Sequence, residues 1–333
     1  MTAATYDVLG IGNAIVDILA KADDAFLKER GMTKGAMALI DETQASAIYD
    51  AMGPATEISG GSAANTIAGV ASFGARAAFV GKVRDDQLGH VFGHDIKAAN
   101  VAFETPAAKA GAATARSYIL VSPDGERTMN TFLGAAQDLS PADIDEAQIA
   151  ASSIVYLEGY LWDPAEAKQA FLKASKIAHA NKRMVALTLS DAFCVGRYRA
   201  EFLDLIKTKT VDLVFANEAE LTSLYETQDF DTALTQLRSD ANLAVVTRSE
   251  KGCVVAAKDK VTAVPAFPVK QVVDTTGAGD LFAAGFLFGV VRGFSHEQSG
   301  RLGALAAAEV IQHIGARPQT SLKALAQTHG LSV

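Results

Sequence analysis

The sequence predicts a three-layer α/β protein: a central, mostly parallel sheet with helices on both faces, plus a small β-sheet that forms a lid. Three observations carry this reading. From about residue 150 onward, short β-branched runs alternate with longer amphipathic stretches, which is the rhythm of repeated βαβ units. Those strand candidates are almost continuously apolar, as strands covered on both faces must be. Earlier runs instead alternate polar with apolar residues, which suits a sheet with one wet face.

Taken in order, YDVLGIGNAIVDILAKA reads as a strand running out of the core and MALID as a short strand. TARSYILVSPDGERTMNTFL reads as two strands joined at a Ser-Pro-Asp-Gly turn, where proline presets φ and glycine accepts a positive one. Between these pieces, SAANTIAGVASFG and DQLGHVFGHDIKAAN have helical spacing. The lid is therefore expected from segments within about residues 14–58 and 100–133. The body continues through SIVYLEGY, PAEAKQAFLKASKIAHAN, MVALTLS, YRAEFLDLIKTKT, VDLVFAN and EAELTSLYETQ, alternately strand and helix. VKQVVD is read as one more strand, leading into the helix GDLFAAGFLFGVVRG. In such a sheet, crossovers are right-handed and a ligand lies beyond the carboxyl ends of the strands. No repeat, low-complexity tract or Pro/Ser linker marks an independent unit, so residues 1–333 are read as one domain.

Composition narrows the function classes. With 333 residues, 49% of them hydrophobic, the chain can bury a large core. A net charge of −8 and the absence of any Lys/Arg block argue against nucleic acid and anionic membrane as partners. The N-terminal MTAATYDVLGIG lacks a basic stretch and a cleavage site, and the longest apolar run, Leu281 to Val291, is too short to span a bilayer. A cytoplasmic location is expected. Cys194 and Cys253 stand far apart without a C-x-x-C, so neither a disulfide framework nor a cysteine zinc site is available, and both read as packing residues.

The stretch DTTGAGD, 274–280, places Gly277, Ala278 and Gly279 at the start of the late apolar helix. Several amides there lack intrahelical partners and the dipole is positive, so this turn can hold an anion without a basic side chain. Asp280 follows in the first helical turn. The plainer alternative is that Asp280 merely complements the dipole and the glycines merely turn the chain.

DTTGAGD, together with SGGSAANT at 59–66 and NEAE at 217–220, resembles the ribokinase-like (PfkB) family of carbohydrate kinases. The resemblance covers nearly the whole chain. GNAIVD, GGSAANT, DGERT, TLSDAF, VDLVFANEAE and DTTGAGDLFAAGF follow the order of the members that phosphorylate adenosine. It implies a ribokinase-like fold and ATP-dependent phosphorylation of a primary hydroxyl, here the 5′-hydroxyl of a nucleoside, with adenosine foremost. A ribokinase- or fructokinase-type sugar kinase, and a catalytically silent ligand sensor of the same fold, are the alternatives. Asp280 matches the family's general base, and the amides of Gly277, Ala278 and Gly279 match its anion hole. Phosphoryl transfer needs little beyond such positioning and charge stabilisation.

The same resemblance distributes the remaining roles. Asn217 and Glu220 match the N-x-x-E motif that organises Mg²⁺ through water, although an i, i+3 pair at a helix start could equally be a capping box. Thr247 and Gly252 match the ATP loop, with Ser249 where a glycine is usual. His313, expected in the final helix, is placed beside the adenine, with a plain surface residue as the alternative. Asn13, Asp17, Gly60, Gly61 and Asn65 match the positions that hold sugar hydroxyls; otherwise Asp17 is a solvated strand-end acid and the glycines a turn. Ile15, Tyr160 and Leu161 are candidate walls for a purine. Arg127 matches an arginine that reaches the transferring phosphate when the lid shuts, or else it pairs with Glu126 in the hairpin. A monovalent cation near Asp274 is a further expectation. The expected partners are ATP and a nucleoside or sugar, for a monomer or a homodimer through the lid.

Two other patterns are discounted. His90 and His94 are four apart but lack the catalytic Glu and a third ligand. GIGNAI lacks the third glycine of a dinucleotide fingerprint.

Overall fold

The computed structural model describes residues 4–333; residues 1–3, the start of the segment weighed above as a leader, lie outside it. The strands are β1 (Tyr6–Ile11), β2 (Ile15–Lys21), β3 (Met37–Leu39), β4 (Ala55–Gly60), β5 (Ala77–Val80), β6 (Val101–Phe103) and β7 (Ala115–Val121). They continue as β8 (Arg127–Phe132), β9 (Ser152–Glu158), β10 (Met184–Thr188), β11 (Leu213–Asn217), β12 (Leu243–Thr247), β13 (Cys253–Ala257) and β14 (Val261–Val264). Nine of them form a large sheet in the order β14-β13-β12-β11-β10-β9-β1-β5-β6, and five a small one in the order β3-β8-β7-β2-β4. The large sheet is parallel from β12 to β6, and only β13 and β14 run antiparallel at one edge.

Alternation along the central strands explains the layers. Val8 of β1 and Ile154 and Tyr156 of β9 face one apolar cluster; Leu9, Ile11, Val155 and Leu157 face another. Helices Ser62–Ser72, Ala278–Val291 and His296–Val310 supply the first cluster. Helices Ala165–Ala180, Ala192–Lys207 and Phe230–Asp240 supply the second. Helix Ala278–Val291 is buried continuously from Leu281 to Gly289, which is why its sequence shows no polar face. A Cβ on Gly69 would lie 2.7 Å from that of Ala284, so glycine lets helices Ser62–Ser72 and Ala278–Val291 close on each other. Phe286 meets Phe215 edge-on at 5.7 Å and Phe288 stacks on Phe73 at 5.0 Å. Each buried ring is worth about 1.5–3 kcal/mol.

The first sequence run divides at Gly12-Asn13-Ala14: β1 lies at the centre of the large sheet, and β2 continues into the small one. Three expectations are corrected. VKQVVD forms no strand: Val272 and Val273 are largely exposed, and the Val273 and Asp274 amides donate to the Ile311 carbonyl at a helix end rather than to a neighbouring strand. Val101–Phe103 pairs parallel with β5, so the stretch near residue 100 belongs to the large sheet, while β4 extends the small sheet to Gly60. Helix His296–Val310 stops before His313, which sits in the loop that follows. Among the described residues, no helix is long and apolar enough to cross a membrane.

Candidate active site

The β1–β2 connection, the start of helix Ser62–Ser72 and the start of helix Ala278–Val291 bring their polar groups together. Asp280 is the centre. Ser62 Oγ donates to Asp280 Oδ1 at 2.6 Å and Asn65 Nδ2 donates to Oδ2 at 3.1 Å. Arg317 Nε in turn donates to Asn65 Oδ1 at 3.2 Å. Burial pushes the Asp280 carboxyl above its ordinary value, against the two hydrogen bonds and the Arg317 charge. Both ends of the Asn65 amide are therefore engaged. In this arrangement Asn65 bridges Arg317 and Asp280, and its amide retains one further N–H and one further lone pair.

The turn before Asp280 carries the predicted anion site in altered form. Gly277 has φ +79° and a Cβ there would lie 2.8 Å from Ala316, so glycine is required twice over. The Ala278 amide donates to the Thr275 carbonyl at 3.2 Å and is not free. The amides of Gly277, Gly279 and Asp280 have no acceptor among the described residues. The available donors are thus Gly277, Gly279 and Asp280 rather than Gly277, Ala278 and Gly279. No heavy atom lies within 4 Å of a Cβ placed on Gly279, so that face of the turn is open.

Asp274 ties this turn together. It accepts from the Thr276 amide at 3.0 Å and the Gly315 amide at 3.1 Å. Arg127, at the start of β8 in the small sheet, forms an ion pair with it at 2.8 Å and donates to Thr276 Oγ1 at 3.2 Å. The hairpin pairing of Arg127 with Glu126 is not what the chain adopts. Arg127 thus reaches from the small sheet to the turn that precedes Asp280.

Asp17 lies on β2 between Ile58 of β4 and Ser117 of β7, close enough to Asp280 for the two charges to interact. Its carboxylate accepts no hydrogen bond among the described residues. Burial pushes it up to about 7, Arg317 and Arg127 oppose this, and Asp280 adds to it. A side chain at Gly60 would collide with the Asp17 carboxylate, and one at Gly61, with φ +93°, would collide with the Asn13 carbonyl. Asn13 donates through Nδ2 to Glu158 Oε1 at 2.7 Å, while its own Oδ1 is buried without a partner. Glu158 also accepts from the Ala63 amide at 2.8 Å. Burial pushes Glu158 up to about 7 despite its donors.

The other predicted residues fall out unevenly. Asn217 and Glu220 form a capping box: Glu220 N donates to Asn217 Oδ1 at 2.8 Å, while Asn217 N and Nδ2 donate to the two Glu220 oxygens at 3.0 and 2.5 Å. Burial pushes Glu220 up to about 7, with Asp191 adding to it. Each Glu220 oxygen accepts one bond in the cap and keeps a lone pair for a water of a hydrated Mg²⁺; the described residues contain no cluster of three His, Cys, Asp or Glu able to hold a metal. Thr247 ends β12 directly beside Asn217 of β11. Ser249 takes the left-handed φ of +51° in place of a glycine, and Gly252 follows at +83°. His313 lies 3.3 Å from Glu309 in the loop leading to Gly315. Leu161 is corrected: it is buried in the core with Trp162 and Phe171, because the 3₁₀ turn Gly159–Trp162 directs it inward. Tyr160 and Ile15 stay partly exposed. His90 is on the surface facing Asp85 at 3.1 Å, and both cysteines are buried and free.

Three contributors escaped the sequence reading. Ser62 and Arg317 carry no local signal, since only the fold brings positions 62, 65, 280 and 317 together. Glu158 had one: an acid closing a continuously apolar strand must find donors inside.

A carboxylate held by two donors, with free amides beside it and an arginine delivered from a second sheet, meets the needs of moving a phosphoryl group onto an alcohol. Fold and cleft together are those of a phosphotransferase with an alcohol acceptor. The family model described as pfkB family carbohydrate kinase matches residues 45–323, and the chain belongs to that family. The crystal structure of adenosine kinase from Sinorhizobium meliloti superposes with a TM-score of 0.92 at 56% identity, covering 98% of this chain and 100% of that one. A probable sugar kinase from Rhizobium etli CFN 42 gives 0.94 at 51% identity, covering 99% and 100%. Fructokinase-1 of Oryza sativa subsp. japonica is 30% identical over 239 residues, 70% of this chain and 74% of its own length.

Proposed function

We propose that the protein transfers the γ-phosphoryl group of ATP to the 5′-hydroxyl of adenosine, giving AMP and ADP. One observation carries this: Asp280, held by Ser62 and Asn65, adjoins unengaged amides in sequence and lies close enough to the unpartnered carboxylate of Asp17 to feel its charge. Asp17 accepts both hydroxyls of a vicinal diol, as in the ribose of a nucleoside. That places the 5′-oxygen at Asp280, which takes its proton as the oxygen bonds to Pγ and ADP leaves. The amides of Gly277, Gly279 and Asp280 receive the developing charge on the phosphoryl oxygens. Arg127 turns from Asp274 to the same oxygens. The small sheet serves as the lid, with Ile15 and Tyr160 against the purine.

ATP lies along the strand ends at Thr247 and Gly252, with His313 near the base. Asn217 and Glu220 would hold Mg²⁺ through water, which suits its reluctance to shed water, and there it would offset the negative charge of the phosphates. Asp274 already faces Arg127, so a monovalent cation there is not part of the reading. Buried free thiols suit a reducing cytoplasm.

The 56% identity to the Sinorhizobium meliloti adenosine kinase supports adenosine. The Rhizobium etli and rice relatives support a sugar acceptor as the second reading. Steady-state assays with adenosine, ribose and fructose decide between them. Turnover of adenosine at a kcat/KM well above either sugar is expected; efficient fructose phosphorylation with no AMP formed would reverse the assignment.

A further inference from the structure

We infer that Arg317, in the loop after helix His296–Val310, is a positioning residue for the transfer: through Asn65 it fixes the orientation of Asp280, and its charge keeps Asp17 and Asp280 ionised together. The inference rests on the reading of Asp280 as proton acceptor.

Two acids share a buried cleft here. Their mutual repulsion and loss of water both favour protonation, and a protonated Asp280 cannot take a proton from the acceptor. Something must hold the charged forms. Of the groups around Asp280, Asp17 lies on β2, Glu158 ends β9, and the phenols Tyr156 and Tyr160 lie beside it; none is cationic. Arg127 faces Asp17 but is ion-paired with Asp274. Arg317 alone lowers the carboxyls of both Asp17 and Asp280.

Its placement is specific. Gly315 is anchored to Asp274, and Ala316 packs where a Gly277 side chain would be. The next residue is thereby aimed across the helix start at Asn65. Arg317 Nε donates to Asn65 Oδ1, which leaves Asn65 only its Nδ2 to present to Asp280. Without Arg317 the amide could rotate and offer its oxygen to the carboxylate instead, which would repel. Arg317 Nη2 is buried with no hydrogen-bond partner. Asp95, from helix Gln87–Ala98, also faces the guanidinium and accepts from the Ser59 amide at 3.0 Å. Burial brings Arg317 down only to about 10, so it stays cationic at neutral pH.

The test uses the full chain, ATP and the acceptor giving the highest turnover. Arg317→Met is expected to lower kcat by about 10- to 100-fold and leave KM for ATP within about twofold. It should also move the acid limb of the kcat–pH profile upward by about one unit, since both carboxylates lose their cation. Arg317→Lys keeps the charge but not the Nε bond, so kcat falls while the limb stays. A wild-type profile in Arg317→Met overturns the inference, whatever its kcat. If that variant does not fold, Arg317→Lys decides: reduced kcat with an unmoved limb supports the inference, and wild-type kcat overturns it. Full activity in Asp280→Asn would sink the underlying reading instead, whereas a dead Asp280→Asn beside an unshifted Arg317→Met sinks only this one.

Discussion

Arg127 and Asp274 form an ion pair at 2.8 Å across the two sheets, both nearly buried. The arginine that the small sheet carries is held, through Asp274 and Thr276, against the segment that leads into Asp280. Its partner is an acid that also organises that segment, so Arg127 has a defined resting position beside it.

Replacing it tests whether that charge acts on the transferring group. Arg127→Ala is expected to lower kcat by at least about 100-fold while the melting temperature falls by only a few degrees. A variant with unchanged kcat would show that the pair with Asp274 is purely structural.

Asp280→Asn preserves shape and removes the proton acceptor. Turnover should drop by about a thousandfold with acceptor binding retained, as read by calorimetry. Because burial raises the Asp280 carboxyl, the acid limb of wild-type kcat should lie above the ordinary carboxylate range: activity appears as pH rises through that limb and vanishes below it.

Gly277 and Gly279 should separate folding from function. Gly277→Ala meets Ala316 and carries φ +79°, so it should cost about 1–3 kcal/mol in denaturant unfolding. Gly279→Ala touches no protein atom and should change stability by less than about 0.5 kcal/mol. Its methyl nonetheless fills the open face of the turn, so kcat/KM for ATP should fall. Equal stability losses in the two variants would contradict this geometry.

Glu158 makes stability depend on pH in a predictable direction. Its folded value, about 7, exceeds the ordinary glutamate value, so between the two the folded state binds a proton that the unfolded state lacks. That contribution is fully present below the ordinary value and is lost as pH rises through about 7. Asp17 and Glu220 act in the same sense. The melting temperature should fall between about pH 5 and pH 8, and Glu158→Gln should show a shallower fall. An identical slope in both proteins would exclude Glu158 as a source.

The body was legible in the sequence because continuous apolar runs and amphipathic stretches encode burial directly, as SIVYLE and VDLVFA did for β9 and β11. DTTGAGD announced its helix start through glycines that only a tight turn explains. VKQVVD misled because β-branched residues fit a strand only where a neighbouring strand exists. Leu161 misled because one 3₁₀ turn reverses which side chain faces inward. Ser62 and Arg317 were silent, since nothing local distinguishes a serine or arginine that will meet an acid more than 35 residues away. Asn217 and Glu220 were visible as a pair, and the cap their spacing allows is the one the chain forms.

One ribbon of chain serves both sheets: β1 at the heart of the large sheet becomes β2 of the small one after only Gly12, Asn13 and Ala14. Any swing of the small sheet must bend the chain there as well as after β4, before β7 and after β8, and Asn13 is bolted to the body through Glu158. A guest bound at Asp17 would therefore sit beside one of these crossings. Seating the guest and setting the angle between the sheets become a single event, with closure favoured by however much more tightly the shut form grips.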